Sequence, residues 1–124
     1  MRVLVAEDDP AMLDAVASAI ALGGAEVTRA VSGAEMVQEL AEQPPFDLIV
    51  TDVSMPWMSG LQVALAARNA GHRTPIVVMT ALRVPELARA LERLGPDAVL
   101  LQKPFQLDDL QRAIAALLGP QRAP

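Results

Sequence analysis

The chain has no cysteine among its 124 residues, which excludes disulfides and thiolate metal sites. It also lacks any apolar run near the roughly 18 residues that a membrane span requires, although 52% of its residues are hydrophobic. The apolar start Val3-Leu4-Val5-Ala6 turns acidic at Glu7, too soon for the apolar core expected of a secretory signal. Acidic residues outnumber basic ones, 15 to 10, and the formal charge of -5 disfavours a protein that grips a phosphate backbone. Lysine is the scarcest cation: every other basic residue is arginine, and Lys103 stands alone. His72 has no partner at metal-ligand spacing. Internal repeats and low-complexity linkers are missing. So is a glycine-rich turn after the first apolar run, where a dinucleotide fold would need one. What remains is one domain of common size, expected over residues 1–119 with a short polar tail at 120–124. Its expected setting is the cytoplasm, with no membrane and no direct nucleic-acid contact.

Short apolar runs alternate with helical patterns. Val3-Leu4-Val5-Ala6, Leu48-Ile49-Val50, Ile76-Val77-Val78-Met79 and Val99-Leu100-Leu101 are continuous, as strands buried on both faces of a parallel sheet are. Val27-Thr28-Arg29-Ala30-Val31 is more mixed, as an edge strand would be. Between them Leu13, Val16, Ala17 and Ile20 recur with helical spacing, after Asp9 as N-cap and Pro10 at the first helical position. Gly23-Gly24 supplies the stop. Ser32 and Glu35 have capping-box spacing ahead of Met36, Val37, Leu40 and Ala41. Further helices carry Leu61, Ala64 and Leu65; Leu87, Ala88, Leu91 and Leu94; and Leu110, Ala113, Ile114 and Leu117 before Gly119-Pro120. Five strands alternating with five helices predict a doubly wound (βα)5 domain of the α/β class, with helices on both faces of a parallel sheet.

In such a sheet every strand delivers its carboxyl end to one edge, where ligands bind. There the first strand is followed by Glu7-Asp8-Asp9, the third ends in Asp52, the fourth in Thr80, and the fifth runs into Lys103-Pro104. Two carboxylates about 4 Å apart repel by on the order of 4 kcal/mol at an effective dielectric near 20, so the rim calls for a cation. Hard oxygen ligands without sulfur or imidazole point to Mg²⁺. A carboxylate, a hydroxyl and a lysine around such an ion suit phosphoryl transfer. Asp9 is expected to serve the helix cap, Met55 and Met79 the core, and Trp57 a loop near solvent. Lys103, after an apolar strand and before proline, is harder to dismiss as a surface lysine.

In their order and spacing, Val5-Ala6-Glu7-Asp8-Asp9-Pro10, Asp47-Leu48-Ile49-Val50-Thr51-Asp52, Met55-Pro56 followed by Gly60, Met79-Thr80-Ala81 and Lys103-Pro104-Phe105 form one set. The set resembles the receiver domains of bacterial two-component response regulators over essentially the whole chain. The resemblance implies a flavodoxin-like strand order 2-1-3-4-5. It implies Asp52 as phospho-acceptor and metal ligand, Asp8 as a direct Mg²⁺ ligand, Glu7 reaching the metal directly or through water, and Ser54 offering its backbone carbonyl. Thr80 would be the switch hydroxyl, with the Ala81 amide beside it, and Lys103 would meet a phosphoryl oxygen, its bond to Pro104 being cis. The implied donor is a phosphohistidine on a sensor histidine kinase or phosphotransfer protein. It further implies an unidentified effector downstream and a domain that is a monomer or weak homodimer. The dimer face would be the fourth helix, fifth strand and fifth helix, through Arg89, Arg93, Asp108, Asp109 and Arg112. Such a domain is a signalling switch that catalyses only its own phosphorylation and slow dephosphorylation.

Two other functions use the same residues. A pseudo-receiver adaptor would keep the fold without phosphorylation, but the acceptor, acidic pair, hydroxyl and lysine are all intact. A Mg²⁺-dependent phosphatase with an aspartyl-phosphate intermediate typically has a second aspartate two residues past the nucleophile, and here that residue is Ser54. The chain departs from the receiver pattern at Leu100, three residues before Lys103, where an aromatic residue is usual. Gly95-Pro96-Asp97-Ala98-Val99 is also about one residue longer than the common pattern.

Overall fold

The apolar runs become five parallel strands, and their alternation sorts the core into two layers. The structure, a computed structural model, describes residues 1–43, 45–55, 59–81 and 85–119, with backbone only at 85 and 86. The expected tail at 120–124 and the expectation for Trp57 lie outside these residues. The elements run β1 (Arg2–Ala6), α1 (Pro10–Leu22), β2 (Glu26–Ala30), α2 (Gly33–Glu42), β3 (Leu48–Asp52) and α3 (Gly60–Asn69). They continue with β4 (Ile76–Thr80), α4 (Pro85–Leu94), β5 (Ala98–Gln102) and α5 (Leu107–Leu118). The sheet order is β2-β1-β3-β4-β5, as expected, with every neighbouring pair parallel. No helix among the described residues is long and apolar enough to cross a membrane.

Successive strand residues face opposite sides. Val3, Val5, Val50, Val77 and Met79 pack under α1 and α5 with Val16, Ile20, Leu110 and Ile114. Leu4, Ala6, Ile49, Ile76 and Val78 pack under α2, α3 and α4 with Met36, Val63, Leu87 and Leu94. Both faces are therefore filled, which is why the central strands carry no polar alternation.

Local chemistry sets the helix starts. The Asp9 carboxylate accepts from the Ala11 amide at 3.0 Å, and Pro10 opens α1. The Ser32 hydroxyl accepts from the Glu35 amide, and the Glu35 carboxylate reaches back to the Val31 amide, one residue beyond the cap. Ser59 and Gln62 form a complete capping box at α3, with the same spacing as Ser32 and Glu35. Gly24, with φ of +97°, takes the left-handed conformation that ends α1.

Three details differ from expectation. On β5, at the edge as the expected order implies, Ala98, Val99 and Leu100 are only half-buried despite their continuous apolar run. On α2, Val37 and Ala41 are exposed while Gly33 and Met36 face the core. On α4, Ala88 is exposed and Ala90 takes its place between Leu87 and Leu94. Alanine carries too little apolar surface to fix the rotation of a helix by itself, so the leucines decide it.

Candidate functional site

Register brings the chemistry-bearing residues to one edge. Ala6 pairs with Thr51, Asp52 with Met79, and Thr80 with Gln102, so β1, β3, β4 and β5 end within one residue of the same level. Glu7 follows Ala6 and is 1% exposed; its amide donates to the Ala30 carbonyl. Asp52 and Thr80 are also buried, whereas Asp8, Ser54 and Ala81 are exposed.

Carboxylate oxygens of Glu7, Asp8 and Asp52 lie within 4.8 Å of one another. Lys103 enters this group from the end of β5, where its amide is held by the Thr80 carbonyl at 2.7 Å and its bond to Pro104 is cis. Its ammonium stands 2.6 Å from Glu7 Oε1 and 3.3 Å from Asp52 Oδ1. The other Glu7 oxygen accepts from the Asp9 amide at 3.2 Å.

Burial pushes the Glu7 carboxyl above its ordinary range, and the Asp52 charge adds to this, against the pull of Lys103 and the Asp9 amide. Burial alone would lower Lys103, but its hydrogen bond to Glu7 and the nearby Asp52 charge outweigh that, so the ammonium is held more firmly than usual. With both groups ionised, three carboxylates against one ammonium leave two negative charges uncompensated. That balance, with an all-oxygen donor set open to solvent at Asp8, fits a divalent hard cation such as Mg²⁺.

Asp9 stands apart from this group, since its side chain is spent on the α1 cap. His72 is exposed and far along the chain from the acids, and its carbonyl accepts from Arg68. Two residues with a place at the rim went unremarked in the sequence. The Gln102 side chain donates to the Thr80 carbonyl at 3.3 Å. Thr51, fully buried, donates its hydroxyl to the Asp52 carbonyl at 3.1 Å. A hydroxyl in an otherwise apolar strand, directly before Asp52, was the available signal. A cavity of about 110 Å³ lies elsewhere, lined by Leu40, Phe46, Ile49, Arg68, His72 and Thr74. None of the carboxylate group lines it, and the Arg68 guanidinium beside it is committed to the carbonyls of Leu94, His72 and Asp97.

The profile of the response regulator receiver domain matches residues 3–115. The response regulator MprA of Mycobacterium avium is 36% identical over 119 residues, covering 95% of this chain and 51% of that protein. The transcriptional regulatory protein PrrA of Mycobacterium tuberculosis is 38% identical over 118 residues, covering 94% of this chain and 49% of that protein. The chain thus spans about half the length of these curated relatives. Among solved structures, the chemotaxis protein CheY4 of Vibrio cholerae superposes with a TM-score of 0.83 at 28% identity, over 94% of this chain and 98% of that one.

Proposed function

The chain belongs to the response regulator receiver domain family, and from that premise we propose that it is a phosphorylation switch whose acceptor is Asp52. The observation that carries the reading is the single lysine bridging Glu7 and Asp52 at 2.6 and 3.3 Å, beside a third carboxylate, on the edge where the strands end.

In the proposed reaction a carboxylate oxygen of Asp52 forms a bond to phosphorus. The bond from phosphorus to a donor imidazole nitrogen breaks, and that nitrogen keeps the electron pair and takes a proton. The donor is a phosphohistidine of a sensor histidine kinase or phosphotransfer protein. Glu7, Asp8 and Asp52, with the Ser54 carbonyl, would hold Mg²⁺, which when bound supplies positive charge against the oxygens of the transferred group. Lys103 lies within reach of Asp52 and so of a phosphoryl group on it. Before transfer its ammonium offsets the acidic residues; afterwards it pairs with a phosphoryl oxygen. Thr80 supplies the switch hydroxyl and Ala81 an amide at the same edge. Ser54 in place of a second aspartate argues against a phosphatase.

The same reading places the domain in the cytoplasm and hands its output to a downstream effector. Any homodimer would be weak and would use α4, β5 and α5, where Arg89, Arg93 and Asp108 are exposed. The test is mass analysis after exposure to acetyl phosphate with and without Mg²⁺. One phosphoryl group should appear, dependent on the ion and absent from Asp52→Asn.

A further inference from the structure

Beneath Asp52 lies an arrangement that the proposed chemistry does not use. Pairing with β1 ends at Thr51, so Asp52 is matched only to Met79 on β4. The Thr51 hydroxyl has two acceptors for its one proton, the Asp52 carbonyl at 3.1 Å and the weaker Met36 Sδ at 3.6 Å, and the carbonyl is the closer and stronger. Gly60 closes the seat from above: a methyl group added there would overlap both the Asp52 carbonyl oxygen and the Thr51 hydroxyl. The Gly60 amide donates to the Val53 carbonyl at 3.1 Å, and the Val53 amide to the Met79 carbonyl at 3.0 Å. The peptide groups on either side of Val53 are therefore held from three directions, just before the chain turns out to Ser54.

We propose that Thr51 is a positioning residue, whose hydroxyl fixes the Asp52–Val53 peptide plane and so aims the Asp52 carboxylate and the Ser54 carbonyl. This rests on the reading of Asp52 as acceptor and of the acidic group as a cation site. The choice of residue supports it. Valine would fill the same volume in this apolar layer, and a buried hydroxyl is unfavourable unless it is hydrogen-bonded. A methyl group in its place would stand 3.1 Å from the carbonyl oxygen, inside the roughly 3.3 Å at which carbon–oxygen contacts begin. The peptide plane would have to tilt.

The experiment compares Thr51→Val, which removes the hydroxyl at constant volume, with Thr51→Ser, which keeps it and loses a methyl group. Mg²⁺ affinity, the rate of phosphorylation by acetyl phosphate at saturating Mg²⁺, and exchange of the Val53 and Gly60 amides are measured for each. Thr51→Val should weaken Mg²⁺ binding and slow phosphorylation by about five-fold each, the scale of one ordinary hydrogen bond, and speed both amides. Thr51→Ser should stay within about two-fold of the parent in both, a small fraction of that effect, even if it melts earlier. The proposal is overturned if Thr51→Val matches the parent in affinity and rate, or if both variants lose them equally, since packing would then be the cause. If the parent itself takes up no phosphoryl group, the acceptor reading fails instead. Amide exchange then decides on the seat, with faster exchange in Thr51→Val alone upholding it and equal exchange rejecting it.

Discussion

The Lys103 ammonium stands closer to Glu7, at 2.6 Å, than to Asp52, at 3.3 Å. The lone lysine is therefore bound first to a glutamate that is 1% exposed and only second to the proposed acceptor. This leaves Asp52 the less committed of the two carboxylates, as an attacking group needs to be.

That geometry gives Lys103 a share in stability as well, beside the expectation that it matters more for signalling than for folding. Removing one partner of a buried pair strands the other charge. Lys103→Ala should cost about 2 kcal/mol at neutral pH without Mg²⁺, less than a fully buried pair because the lysine is partly exposed. Burial already favours protonated Glu7, and losing the lysine favours it further. The cost should therefore shrink as pH falls into the range where Glu7 takes up a proton. In the parent, Lys103 is raised above 10.5, so its stabilisation is complete below that value and is lost only as pH rises past the higher folded value. Thermal melts of both proteins at pH 5 and pH 7.5 check this; an equal deficit at the two values contradicts it.

The two aspartates after β1 should separate cleanly. Asp8 lies with the carboxylate group, whereas Asp9 holds the Ala11 amide. Asp8→Asn should weaken Mg²⁺ binding at least about ten-fold, the scale of losing a charged ligand contact. Asp9→Asn should leave it nearly unchanged, because asparagine caps helices equally well. Titration calorimetry distinguishes them, and equal losses would refute the division.

The start of α5 predicts an acid-range effect. The Gln106 amide and Arg112 hold the Asp109 carboxyl below its ordinary range. Its contribution is present above the usual carboxylate pKa and lost as pH falls through the lowered folded value. Asp109→Ala should therefore melt earlier than the parent at neutral pH, with the gap closing in strong acid. A gap that is constant with pH would mean that the charge is irrelevant.

The fold was legible where the chemistry is local or strongly periodic. Asp9, Ser32 and the buried valines of β1, β3 and β4 announced themselves, and the four strand ends announced the rim. Less was legible where tertiary packing decides. Ala88 and Ala90 differ only in which side of α4 the leucines turn inward, and Val99 and Leu100 look central although β5 has one neighbour. The preference of Lys103 for Glu7 over Asp52, and the Thr51 seat, depend on distances between segments that sequence order does not encode.

Leu100 bears on the proposed route of the signal. It is half-buried and packs in the layer with Leu87 and Leu91, with no ring to exchange positions. Coupling requires a contact that differs between states; Thr80 is the proposed carrier, and the same expectation for 82–84 lies outside the described residues. Beryllofluoride with Mg²⁺ should change hydrogen exchange over residues 81–86 more than over 98–102. Changes centred on 98–102 with a silent 81–86 would reverse the assignment.

The central claim, that Asp52 accepts a phosphoryl group with the help of the cation held beside it, is tested most directly by intact-mass analysis after acetyl phosphate. The account predicts one added phosphoryl group on the parent in Mg²⁺, none in chelator, and none on Asp52→Asn in either. A stable phosphoryl adduct on Asp52→Asn, or no adduct on the parent in saturating Mg²⁺, would contradict it.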